Sequence, residues 1–232
     1  MRIACISDIH GNIYALNKVL DNIDENNADL IICLGDLTGY GPHPNEVVAL
    51  IRRRRILCLK GNYDASVVDN DFTFIRDTSI NSFSLPWTSE ELRASHKLYL
   101  ESLPESLRLV FENRSFLFVH GSPSRINEYL TFDSPEAKKH LSEIQEDVLV
   151  CAHTHIPGLH EIDNKLLINS GSVGKPKNGN PAASYVLIDI EKSGKVSGKV
   201  VQVEYDHSKT AKDMEMKNFP SKLISSIKNG VE

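Results

Sequence analysis

Seven residues of this 232-residue sequence could together do chemistry: Asp8, His10, Asp36, Asn62, His120, His153 and His155. Each stands just beyond the point where an apolar run stops. Ile3-Ala4-Cys5-Ile6 leads into Asp8 and His10, Leu30 to Leu34 into Asp36, and Ile56 to Leu59 into Asn62. Ser115 to Val119 leads into His120, and Val148 to Cys151 into His153 and His155. A core histidine or a surface acid explains any one of these. It does not explain why all lie where buried runs end, next to glycines that let the backbone turn tightly. In parallel sheets, ligands gather beyond the carboxyl ends of the strands. Residues two apart on an extended chain point to one side, so Asp8 and His10 are expected to face a common point with an oxygen and a nitrogen donor.

Two carboxylates, four imidazoles and one amide suit two divalent cations, with Asp36 as the natural bridge. Imidazole with carboxylate favours manganese, iron, cobalt, nickel or zinc over calcium and magnesium. Two dications set against Asp8, Asp36 and a hydroxide leave a formal charge of roughly +1, which attracts an anion. Two metals about 3.5–4 Å apart also activate a water and stabilise an in-line displacement. That combination points to hydrolysis of phosphate esters.

The elements that must position these groups follow from hydrophobic periodicity. Asn12 to Asn26 reads as an amphipathic helix with Ile13, Leu16, Val19, Leu20 and Ile23 on one face. With the apolar runs on either side it makes a βαβ unit and an α/β fold. A helix through Val47, Val48 and Ile51 closes on Arg52 to Arg55, cations that suit a helix C-terminus. Residues 65 to 90 carry no readable pattern, and Thr88-x-x-Glu91 predicts a capping box for a helix carrying Leu92, Tyr99 and Leu100. Leu107 to Phe111 and Ser115 to Val119 form a hairpin, Ser134-Pro135 starts a helix, and a second hairpin turns at Asp163-Asn164. Strands at Tyr185 to Ile190 and near Lys199 to Tyr205 precede the C-terminal helices. With no linker, repeat or low-complexity stretch, residues 1–232 read as one domain.

Composition is that of a globular protein, 41% hydrophobic and 25% charged. A net charge of −5 gives no global attraction to nucleic acid or anionic membrane. No apolar stretch reaches membrane-span length, and the first strand begins too close to Met1 for a signal peptide. Cys5, Cys33, Cys58 and Cys151 form no C-x-x-C pair and sit in apolar runs, which fits reduced thiols in a cytoplasmic protein.

The ordered series Asp8-x-His10, Gly35-Asp36, Gly61-Asn62-Tyr63-Asp64, His120-Gly121 and His153-Thr154-His155 resembles the calcineurin-like metallophosphoesterase superfamily, most of all its small bacterial and archaeal phosphodiesterases. The likeness runs nearly end to end, through Asn169 to Gly174 and Ser184-Tyr185-Val186. It implies a four-layer αββα sandwich, with two packed mixed sheets flanked by helices. It implies that Asp8, His10, Asp36 and His155 hold one metal and Asp36, Asn62, His120 and His153 the other, manganese being favoured. It further implies that a bridging hydroxide attacks phosphorus directly, with Asp36, Asn62 and His120 as the catalytic set. The expected partner is a small phosphate ester, a nucleotide among the candidates. A dinucleoside polyphosphate is an alternative substrate. A phosphoprotein phosphatase fits less well, because that class has an arginine where Lys60 stands. A non-catalytic scaffold, as in the resembling retromer subunit, loses ligands that are all present here.

Two positions depart from the family pattern. Tyr63 stands where a histidine contacts the phosphate and protonates the leaving group, and Ala152 where glycine is usual. Asn12 and Tyr63 are the candidate substrate contacts, with helix capping the other reading of Asn12. Asp64 and Thr154 are candidates to orient ligands. Lys175 and Lys177 read as solvated lysines, with substrate contact the other reading, and His43 as a turn residue near Asp36, with lining the cleft the other reading. Tyr40 could stack on a base, and Trp87 reads as a core residue. His96, His140, His160 and His207 read as surface or helix-face residues.

Overall fold

Ile3 to Ile6 are completely buried, and burial of both faces makes this run a strand, β1 (Arg2–Ile6). A computed structural model describes residues 1–231 except 74, 76, 77 and 79. Asn12 caps the following helix, its side-chain oxygen accepting from the Ala15 amide, and α1 runs over Ile13–Glu25. β2 (Leu30–Cys33) then returns parallel to β1, Ile3 facing Leu30 and Ile6 facing Cys33. Pro44 in the first turn opens α2 (Pro44–Arg53), followed by β3 (Leu57–Cys58), shorter than its apolar run.

Three helices come next, α3 (Asn62–Asp69), α4 (Asn81–Glu91) and α5 (Ala94–Glu101). α4 lies where the sequence predicts no element. It carries Pro86 and buries Asn81, Ser84, Thr88 and Ser89, so no apolar stripe marks it. The capping box expected at Thr88 does not form. Thr88 lies inside α4 with its hydroxyl donating to the Ser84 carbonyl at 2.7 Å, and the next helix starts after Arg93.

The second half gives the hairpin β4 (Ser106–Phe111) and β5 (Arg114–Val119), then α6 (Pro135–Glu143) capped by Ser134. β6 (Val148–Cys151) is followed by the hairpin β7 (Gly158–Ile162) and β8 (Lys165–Asn169). β9 (Ala183–Ile190) and β10 (Val196–Val203) rejoin the first sheet before α7 (His207–Met216) and α8 (Ser221–Asn229).

The strands form two mixed five-stranded sheets, ordered β10-β9-β1-β2-β3 and β4-β5-β6-β8-β7. β1, β2 and β3 are parallel in one; β5, β6 and β8 are parallel in the other. Alternate residues of β1 divide between layers, as a pleated strand requires. Ile3 and Cys5 join Ile32, Phe116, Phe118, Val150 and Ile168 between the sheets. Ala4 and Ile6 face Leu16, Val19 and Ile23 of α1. α6 covers the far side of the second sheet through Ala137 and Leu141 against Leu117 and Leu149. The result is the αββα sandwich, flanked among the described residues by eight helices. No described helix is long and apolar enough to cross a membrane.

Candidate metal centre

The loops after the parallel strands of both sheets meet at one end of the sandwich. β1, β2 and β3 deliver Asp8 and His10, Asp36, and Asn62; β5 and β6 deliver His120, and His153 with His155. Asp8 and His10 do converge, but not through the alternation of an extended chain. Both are left-handed, as are Asp36, His153 and His155, with φ between 46° and 67°. Such non-glycine positions cost about 1–3 kcal/mol each and persist only where surrounding bonds determine them. Here the Asp8 amide donates to the Gly35 carbonyl at 3.0 Å, and the Ile9 and His10 amides both donate to the Asp36 carbonyl. The first two loops are thereby locked together. Gly61 has to be glycine, because a Cβ there would sit 2.1 Å from Asp36 Oδ1.

Two buried trios result. Asp8, His10 and His155 form one, and Asp36, His120 and His153 the other; each could hold a metal ion, its donor atoms lying within 4.8 Å of one another. Asp8 Oδ1 is 3.2 Å from His155 Nε2 and 3.7 Å from His10 Nε2. One oxygen, Asp36 Oδ2, lies 3.7 Å from His10 Nε2 and 3.5 Å from His120 Nε2 and so stands between the trios. Asn62 Oδ1 is 2.9 Å from His120 Nε2.

The bonding pattern fits cations. Each carboxylate has one oxygen engaged, Asp8 Oδ2 by the Ser7 hydroxyl and the His153 amide, Asp36 Oδ1 by the Tyr63 amide. The other oxygens, Asp8 Oδ1 and Asp36 Oδ2, are buried with no hydrogen-bond partner, and so is His153 Nε2. An unsatisfied buried polar atom is costly, and three face this site. On the far side of the rings, Nδ1 of His10, His120 and His155 donates to the carbonyls of Thr38, Leu34 and Lys175. These bonds leave the Nε2 atoms pointing inward. His10 and His155 then bring two lone pairs within 3.3 Å of each other, which a shared cation relieves.

Electrostatics agree. Burial works to raise the Asp8 carboxyl, but the surrounding imidazoles, His155 first and then His120 and His10, override it and hold the group well below the usual carboxylate range. Burial pushes His10 and His155 down, and His153 down to about 3, so these rings are neutral ligands near neutral pH. At His120 burial is outweighed by Asp36, and the ring is raised to about 10. A cation has to displace that proton.

The remaining sequence candidates fall around this centre. Among the described residues the hydrogen bonds of Asp64 go to backbone amides and the Thr38 hydroxyl and not to a ligand side chain. Asp64 accepts from the Leu37, Thr38 and Gly61 amides and so holds the loop whose Thr38 carbonyl orients His10. The amide of Asn12 is taken up by capping α1, by Gly174 and Tyr205, and by the Thr210 hydroxyl. Thr154 closes a local turn with Ile156. His43 is turned to Asp213 of α7 at 2.9 Å. Trp87 is half-buried, packed edge-on to Phe219. His96 and His140 are buried against Asn45 and Glu128 instead of lying on the surface.

A pocket of about 340 Å³ opens beside the trios, with Asn62 and His153 in its lining. Tyr63 and Tyr40 line it too, their hydroxyls hydrogen-bonded to each other and Tyr63 donating onward to Asn81 Oδ1 at 2.8 Å. Two further residues are absent from the sequence candidates or placed differently there. Tyr129, which no motif marks, lies on His153 with ring centroids 4.1 Å apart. Lys175 is only 2% exposed, not solvated, with its ammonium 5.0 Å from the Tyr40 ring centroid. Its position directly after the Ser170-Gly171-Ser172 loop, where the Ser172 hydroxyl accepts from its amide, was the available signal.

Known proteins resemble the chain over most of its length. The profile of the calcineurin-like phosphoesterase superfamily domain matches residues 1–193. An uncharacterised protein of Methanocaldococcus jannaschii is 34% identical over 238 aligned positions, covering 95% of each chain. The phosphodiesterase YfcE of Escherichia coli is 26% identical, covering 82% of this chain and 88% of its own. A solved metallophosphoesterase of Sphaerobacter thermophilus superposes with a TM-score of 0.80 at 30% identity, covering 100% of this chain and 99% of the other.

Proposed function

The chain belongs to the calcineurin-like phosphoesterase superfamily, and from that premise we propose that it is a dinuclear metal-dependent phosphodiesterase acting on small phosphate esters. The observation that carries this reading is the set of partnerless buried atoms, Asp8 Oδ1, Asp36 Oδ2 and His153 Nε2, aimed into one site. A scaffold that binds no metal has no use for them. Asp8, His10, Asp36 and His155 would hold one cation, and Asp36, Asn62, His120 and His153 the other. Manganese is the favoured ion, with iron, nickel, cobalt and zinc the alternatives, because the donors are imidazole, carboxylate and amide without thiolate.

Two divalent cations held there supply an activated water and neutralise charge on the phosphoryl group. The chain's own residues do the rest. The Thr38, Leu34 and Lys175 carbonyls fix the imidazoles in their ligating tautomer. Tyr63 anchors Asp36 through its backbone amide, and Asn62 and His153 face the pocket in which an ester would lie. The four cysteines are buried, and burial raises the thiols of Cys5, Cys58 and Cys151, so none is a competent nucleophile. In this reading water attacks phosphorus in line. A chiral thiophosphate diester should react with inversion; retention, or a trapped phosphoenzyme, would contradict the reading. Cleavage of a phosphoanhydride, as in a dinucleoside polyphosphate, is a second reading, favoured by the lysines around the pocket.

A further inference from the structure

The pocket beside the trios is cationic in a chain whose net charge is −5. Lys175, Lys177 and Lys222 line it, and no carboxylate does among the described residues. The three amines come from two separate places. Lys175 and Lys177 follow the Ser170-Gly171-Ser172 loop, and Lys222 lies in the first turn of α8. Lys175 is held in place. Its carbonyl accepts from His155 Nδ1, its amide donates to the Ser172 hydroxyl, and its ammonium reaches the Val231 carbonyl at 3.4 Å and the Tyr40 ring. One residue thus fixes a metal ligand on one side and presents charge to the pocket on the other. The pocket's volume, about 340 Å³, falls in the range of small-ligand sites, and its lining is also polar through Tyr63 and Asn81.

We propose that this pocket is a second-anion subsite, in which Lys175, Lys177 and Lys222 receive a phosphate adjacent to the one that is attacked. The substrate class is then a phosphate ester or anhydride with a further phosphate on its leaving group, in preference to a diester with uncharged arms. The inference rests on the trios being the hydrolytic centre. Charge-assisted hydrogen bonds from lysine to phosphate are strong where water is partly excluded, and they select for the added charge.

Two measurements on the full chain test it, using the double variant Lys177→Ala/Lys222→Ala, which leaves the buried Lys175 in place. First, inorganic pyrophosphate is titrated by calorimetry into chelator-treated protein. The wild type should bind it more tightly than inorganic phosphate, and the variant should lose at least about tenfold in affinity, since two charged contacts are removed and each is worth about tenfold or more. Second, kcat/KM is compared for a dinucleoside tetraphosphate and for bis(p-nitrophenyl) phosphate with metal supplied. The ratio of the two should fall about tenfold or more in the variant, through KM of the tetraphosphate. Pyrophosphate binding equal in the two proteins, or an unchanged ratio, would overturn the subsite. If the wild type hydrolyses no ester with any metal while pyrophosphate binding still depends on the lysines, the phosphoesterase reading fails and the anion site stands.

Discussion

Tyr63 stands where the resemblance to the family leads one to expect a histidine. The phenol is buried, bonded to the Tyr40 hydroxyl and donating to Asn81 Oδ1. Burial, with Tyr40 and Asp36 nearby, pushes it well above the usual tyrosine range. A general acid works best when its pKa lies near the working pH, so this phenol is a poor donor to a departing alkoxide. Aryl esters and phosphoanhydrides, whose leaving groups need no proton, should be strongly preferred over alkyl esters. Tyr63→His should narrow the gap, raising alkyl-ester turnover by about 10²-fold, the low end of general-acid catalysis. The check is a plot of log kcat/KM against leaving-group pKa for both proteins; parallel plots of equal slope would remove Tyr63 from the account. The seven candidate ligands are legible in the sequence because each ends an apolar run. Tyr129 is not, because what brings it to the site is tertiary packing with no local pattern, and Lys175 is marked only by its place after the Ser170-Gly171-Ser172 loop. Likewise His140 looks like a helix-face residue until Glu128, twelve positions earlier, is folded against it.

At the scale of elements, the loop from His120 to Ser134 has to hold His120 and Tyr129 while carrying little regular structure. Glu128 fastens it. It accepts from the Ser122 hydroxyl, from His140 Nε2 of α6 at 2.9 Å and from Arg125 at 3.1 Å. The Ser122 bond is the main cause that lowers the carboxyl to about 2 from an ordinary 4.5, against the opposing effect of burial. A carboxyl lowered on folding binds fewer protons in the native state. Its stabilisation is therefore complete above about 4.5 and is lost as pH falls toward about 2. Glu128→Gln should cost about 1.5–3 kcal/mol near neutral pH, the usual worth of hydrogen bonds to a charged group. That cost should shrink through the acid window. Urea unfolding of chelated protein across the pH range measures it, and a cost independent of pH would refute the assignment. β1, β2, β3, β5 and β6 are legible as apolar runs, β4, β7 and β8 through their hairpin turns, and α1, α2 and α6 through their apolar faces and the Ser134 cap. α3 and α4 were not legible. α3 opens inside the Gly61 to Asp64 motif, where Asp64 reaches back to the Gly61 amide, and α4 buries a polar face against its neighbours.

Taken as a whole, the molecule places its chemistry where two sheets meet. The first sheet contributes Asp8, His10, Asp36 and Asn62, the second His120, His153 and His155, and Asp36 Oδ2 stands between the two trios. The βαβ start and the two hairpins can be read locally, but the order β10-β9-β1-β2-β3 cannot, since β9 pairs with β1 across most of the chain. Cations at this seam would tie the sheets together, linking metal binding to stability as well as to activity. The most direct test is a titration of chelator-treated protein with manganese, following bound metal and hydrolysis of bis(p-nitrophenyl) phosphate together, for the wild type and for Asp36→Asn. Hydrolysis should be absent without metal, activity should saturate at about two ions per chain, and the variant should lose both activity and tight binding of both ions. Full activity in chelator, or metal content unchanged in Asp36→Asn, would contradict it.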